Sequence, residues 1–199
     1  MADTRQNRNA TEELTHDVVG TLDKINFWIG NCDTKISFSL AFAGILLGGF
    51  FSSSIITKSL TNLIQKVIHI DKIKDYWEIK LVEVTTIVLL AFIILIAFSI
   101  TYLFRALKGS IDTEVYKQPG LTTTSAVFFG SIANRPFQTF KEETENMSSS
   151  DIHNDYLSQI YINSKICQRK FKLYNAGVQF LIYSAIIFVI LNILFLFIK

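Results

Sequence analysis

Proline is almost missing from this chain. Its 199 residues hold two, Pro119 and Pro136, beside nine glycines, and so few helix breakers predict long, uninterrupted helices. Cysteine is equally scarce. Cys32 and Cys167 stand far apart with no partner at a metal-binding or redox spacing, which excludes a disulfide scaffold or a zinc cluster. Both read as small helix-packing residues. The three histidines, His16, His69 and His153, are dispersed and lack a second ligand at helical spacing. There is no H-E-x-x-H, no nucleophile elbow and no Walker loop, so neither a catalytic nor a metal site is expected and an enzyme has no support. Net charge is small as well. Nineteen Lys and Arg face seventeen Asp and Glu, for a formal +2, which gives no whole-chain signal for nucleic acid. The first twenty-five residues contain no apolar signal-peptide core, so no cleavable leader is expected.

What the chain does contain is apolar length. Half of it is hydrophobic and 18% is charged, with a mean hydropathy of +0.35, values that belong to membrane proteins. Residues 36–57, 81–104 and 176–198 are each about the twenty residues needed to cross a bilayer as a helix. The expected fold is an all-α membrane protein with three transmembrane helices, whose long helices extend into a small helical cytosolic domain.

The first span carries no charge. Its small residues Ser37, Ala41, Gly44, Gly48 and Ser52 share one helix face, and Gly44 and Gly48 form the G-x-x-x-G spacing of close helix–helix contact. Gly44, Gly48 and Ser52 are therefore the predicted transmembrane contact face. Ahead of it, residues 1–10 read as a disordered start. Thr11 followed by Glu12 and Glu13 marks a helix beginning. Leu14, Val18, Leu22, Ile25 and Ile29 make residues 11–35 an amphipathic cytosolic helix. Trp28 stands where an aromatic ring favours the water–lipid interface. With only Gly30 opposing it, one helix is predicted from about Thr11 to Thr57.

Residues 58–80 read as an extracytoplasmic connector with a partly apolar interfacial turn and mixed charges. Glu83, one turn inside the second span, is placed to reach water or to pair with Lys80; an intramembrane carboxylate of an ion pathway is the alternative. Residues 105–175 form a predicted cytosolic region. It holds both prolines, the run Thr122-Thr123-Thr124-Ser125 and the aromatics Phe128, Phe129, Phe137 and Phe140. Ser148 to Asp151 is a helix-capping stretch. From there Ile152, Tyr156, Ile160, Cys167, Phe171 and Tyr174 share a face, and the helix continues into the third span for a length on the order of 70 Å. Asn192 in that span reads as interhelical glue. Lys and Arg flanking the spans favour a cytosolic N-terminus. Residues 122–140 and 154–172 combine polar, aromatic and basic groups suited to a small anionic ligand, although each phenylalanine fits a domain core equally well.

Three segments carry a family likeness: Asp33-x-Lys35 opening the first span; Phe128-Phe129-Gly130 followed by Phe137 and Phe140; and Tyr156, Tyr161, Lys165, Lys170 and Tyr174 on the last helix. In their order and spacing the chain resembles the transmembrane effectors of the Pycsar antiphage systems. The resemblance implies a multi-pass inner-membrane effector whose cytosolic region senses cyclic CMP or cyclic UMP from a cognate cyclase and which then disrupts the membrane, causing abortive infection. It implies a cyclic nucleotide as activating ligand with no other cofactor, and membrane lipid as a partner. Lys35, Arg135, Lys165, Arg169 and Lys170 become candidates for the phosphate, and Phe128, Phe129 and Tyr156 for stacking on the base. A thin protomer with little core also points to a homo-oligomer. The alternatives are a non-gated membrane scaffold or accessory subunit, or an effector answering a cyclic oligonucleotide.

Overall fold

A computed structural model of the chain describes the backbone of residues 2–73, 75–109 and 113–198, and the side chains of fewer. Lys74 lies outside the described residues, and the side chains of Arg5, Arg8 and Thr11 to Leu14 lie outside them too. Among the described residues there are helices and turns and no strand. The helices are α1 (Ala2–Ser52), α2 (Ser54–Ile68), α3 (Tyr76–Leu107), α4 (Phe129–Ala133), α5 (Phe137–Glu145) and α6 (Ser149–Phe195). Three of them, over Asp17–Ser52, Tyr76–Leu107 and Ser149–Phe195, are long and apolar enough to cross a membrane. The protein is thus an all-α membrane protein.

Two expected boundaries differ. Helix α1 is already formed at Ala2, where a disordered start was expected; residues 1–10 contain neither Pro nor Gly to oppose it. At its other end α1 stops at Ser52 and does not reach Thr57. Ser53 adopts extended backbone angles, and its hydroxyl accepts from Ile56 N at 3.3 Å, which makes it the N-cap of α2. The run Ser52-Ser53-Ser54 therefore starts a new helix and ends the old one.

The chain divides into two compact units, one formed by Met1–Cys32 with Gly109–Lys170 and the other by Asp33–Lys108 with Phe171–Lys199. The second unit contains the apolar stretches. Phe50, Val82, Phe92, Leu191 and Phe195 form one buried cluster with Ile56 and Leu63 of α2, and Ala43, Ile96 and Leu181 form another. Around them the pattern of a water-soluble protein is inverted, because Phe38, Ile45, Phe51, Ile87, Ile186 and Phe197 are exposed. Small polar residues sit inside. Ser99 Oγ donates to the carbonyl of Gly177 at 2.9 Å, and Thr85 and Ser184 bond to their own helices at 2.7 and 2.8 Å.

Within the protomer the predicted contact face meets no other helix among the described residues. Ser37, Ala41, Gly44, Gly48 and Ser52 are all exposed, and a Cβ added at Gly44 or Gly48 would meet nothing within 4 Å. Within the protomer α1 buries Ile36, Ala43 and Phe50 instead, one residue every two turns. The close helix–helix approach occurs at Gly177, where an added Cβ would come within 2.8 Å of Leu103 Cγ and 3.2 Å of its backbone nitrogen. Among the described residues Asn192 bonds within its own helix, its amide donating to Phe188 O at 2.8 Å. Glu83 pairs with Lys80 at 2.6 Å, and Lys66 pairs with Glu78 at the same distance.

Candidate ligand-binding cleft

The first unit is assembled on two helix faces. Val18, Leu22, Ile25 and Ile29 of α1 are half-covered and Cys32 is buried, the stripe that the heptad-like spacing predicts. On α6 the face is rotated from expectation. Asp155, Ser158, Gln159 and Ile162 are buried, whereas Ile152 is exposed and Tyr156 and Ile160 are only partly covered. The buried face is hydrogen-bonding, so a hydropathy pattern does not mark it. Asn163 on the same side donates to Asn26 Oδ1 of α1 at 2.9 Å. The helix starts on a reciprocal cap: Ser148 N and Oγ donate to Asp151 Oδ2 at 3.0 and 2.6 Å, and Asp151 N donates to Ser148 Oγ at 3.2 Å. These bonds, far from the apolar end of α6, hold the Asp151 carboxyl below its ordinary value.

Residues 121–128 have no regular structure, so their backbone groups need other partners. Side chains supply them. Thr122 N donates to Ser158 Oγ at 3.0 Å and Ala126 N to Asp155 Oδ2 at 2.7 Å. Ser125 N donates to Ser131 Oγ at 3.0 Å, and the N–H groups of Val127 and Phe128 converge on Ser125 Oγ at 3.1 and 2.9 Å. Arg135 ties the segment from the far side. Its Nε donates to Ser131 O at 3.0 Å, its terminal nitrogens bond Ser125 O and the Glu143 carboxylate, and its guanidinium lies 5.4 Å from the Phe140 ring centre.

Between this segment and α6 lies a cleft of about 810 Å³, within the usual range for small-molecule sites. Its walls are the hydroxyls of residues 122–125 and Ser131, the amides of Asn134, Gln159 and Asn163, the rings of Tyr116 and Phe128, and aliphatic side chains. Arg135 is its one charged wall residue among those described. Gly109 stands at the rim with a positive φ of 59°, the left-handed turn that ends α3. Gly130 lets Phe128 fold back over α4, since an added Cβ would lie 2.7 Å from that ring.

Of the residues singled out from sequence, Phe128 and Arg135 line this cleft. Phe129 is 78% exposed with its ring 4.8 Å from that of Phe128. Tyr156, Lys165, Arg169 and Lys170 belong to the same unit but not to the cleft wall. Lys165 lies 5.3 Å over the Tyr161 ring, and Lys170 is buried. Lys35 falls in the other unit, 6.0 Å over Phe171. Sequence reading passed over Tyr116, Gln159 and Asn163. Polar residues recurring at 155, 158, 159 and 163 give the signal that would have found the last two, because that spacing is one helix face.

Fold and site define the class: a membrane protein built from helices, with a polar, aromatic cleft in a helical unit separate from its apolar one. Residues 75–198 match the family model described as the Pycsar effector protein domain. The chain is also 57% identical over 192 residues to the Pycsar effector protein GmPycTM of Gulbenkiania mobilis, covering 96% of this chain and 98% of that one. It therefore belongs to the Pycsar effector family, as a transmembrane protein of antiphage defence. No solved structure matches it.

Proposed function

We propose that the protein is a non-enzymatic, ligand-gated effector of the inner membrane with its N-terminus in the cytosol. Cyclic CMP or cyclic UMP from a cognate cyclase occupies the cleft, the assembly of the apolar helices changes, and the membrane is breached, ending the infected cell. The observation that carries this reading is the cleft itself, with aromatic rings for a base and hydroxyls and amides for sugar and base edges. Family membership supports the role as effector. Arg135 is the cation nearest to hand for a phosphate, and its bonds to Glu143 and Ser125 make it equally the strut of the cleft wall.

A ligand shifts an assembly only by binding one state better than another. The cleft residues lie on α6 and on the irregular segment hydrogen-bonded to it, and α6 itself runs through residues of both units. The exposed Gly44, Gly48 and Ser52 face gives a second copy of the chain a surface for close approach, so a homo-oligomer is the form in which gating operates. The test is dye release from liposomes carrying the purified protein. Release that rises on adding cyclic CMP or cyclic UMP is expected. Equal release with and without them replaces gating by a constitutive pathway, and no release in either case leaves a membrane scaffold.

A further inference from the structure

Gln159 is 6% exposed and lines the cleft, yet its amide makes no hydrogen bond among the described residues. Its buried neighbours do. Ser158 bonds Thr122 and Asn154, Asp155 holds Ala126, and Asn163 one turn on is engaged by Asn26. A primary amide carries two donors and an acceptor that a ligand in the cleft can meet. Here it faces the open volume beside Phe128 and Tyr116. Among the described residues the wall around it carries one charge, Arg135, already bonded to Glu143, Ser125 and Ser131. The part of a ligand that enters here is thus flat, neutral and edged with hydrogen-bonding groups.

We infer that Gln159 is the side chain that reads the hydrogen-bonding edge of the ligand's base. This rests on the cyclic-nucleotide reading above. An amide offers a donor and an acceptor side by side, which matches the adjacent N4–H and N3 of cytosine. Turned end for end it matches the adjacent O4 and N3–H of uracil equally well. Gln159 therefore admits either pyrimidine and does not choose between them.

The experiment uses the full chain in detergent, comparing wild type with Gln159→Leu and Gln159→Asn. Calorimetric titration with cyclic CMP and with cyclic UMP is expected to show at least a tenfold loss for Gln159→Leu, equal for the two nucleotides. A smaller loss is expected for Gln159→Asn, whose amide is withdrawn by one methylene. The ligand-free melting temperature of Gln159→Leu is expected to equal or exceed that of wild type, because no protein hydrogen bond is lost. Binding within twofold of wild type by a folded Gln159→Leu overturns the inference, as does a melting temperature lowered by several degrees in both variants. If wild type binds neither nucleotide, the cyclic-nucleotide reading fails and the base-reading role fails with it, while an unchanged melting temperature still shows the amide to be unmet in the free protein.

Discussion

Ser99 and Gly177 meet inside the apolar unit: the serine hydroxyl donates to the glycine carbonyl across 2.9 Å, joining α3 to α6. The bond is possible because Gly177 has no side chain where Leu103 presses against it. Gly177→Ala forces the Leu103 backbone and side chain to move, and overpacking of this kind costs about 1–3 kcal/mol. Ser99→Ala removes only the hydrogen bond, for about 0.6 kcal/mol. Thermal unfolding in detergent should rank the two in that order.

Gly44→Leu and Gly48→Leu are expected to leave the unfolding of the protomer within about 0.5 kcal/mol of wild type, because the added side chains enter open space. The same changes should abolish cross-linked oligomers and toxicity on expression while nucleotide binding persists. Loss of nucleotide binding in these variants would mean that the face supports the fold and does not join protomers.

Asp155 is 1% exposed, and its Oδ1 has no hydrogen-bond partner among the described residues, although Oδ2 accepts from Ala126 N. A buried carboxylate with one oxygen unmet is an energetic burden. Asp155→Asn keeps an acceptor for Ala126 and removes the charge, so its stability should match or exceed that of wild type. Asp155→Leu also removes the acceptor, and should cost about 1–3 kcal/mol. Chemical denaturation of the two variants checks the sign of the difference.

Gly130→Ala acts on the cleft and spares the fold. The new methyl group occupies the space of the Phe128 ring tip, and that ring, 43% exposed, is free to swing out. Melting temperature should hardly change, whereas affinity for a stacking ligand should fall, with base stacking on an aromatic ring worth about 1–3 kcal/mol. Fluorescence of a base-labelled cyclic nucleotide would report the loss.

How far the sequence could be read depended on what each feature is made of. The apolar runs of α3 and α6, and the stripe from Val18 to Cys32, are written in hydropathy, which survives translation into structure. The serine triplet at residues 52–54 was readable only as local hydrogen-bonding competition, and apolar length hid it. The glycine spacing of α1 was visible, but which partner it meets is a property of the assembly, and Gly177 stood in no such motif. In the cleft, Phe128 and Arg135 announced themselves as an aromatic and a cation. Gln159, and Asp155 beneath the segment that forms the wall, did not, because burial of polar residues is decided by the irregular segment that crosses them, whose course is fixed by side-chain bonds.

The break at Ser53 has a consequence for the lipid. The charge-free part of α1 now covers residues 36–52, about 26 Å of helix, against a hydrocarbon core of about 30 Å. The apolar stretch of α3, residues 81–104, measures about 36 Å and can cross with room to tilt. One protomer therefore presents two hydrophobic lengths to the same bilayer. Lipid beside α1 must thin to meet it while lipid beside α3 need not, and gathering several copies through their α1 faces would concentrate that thinning in one place.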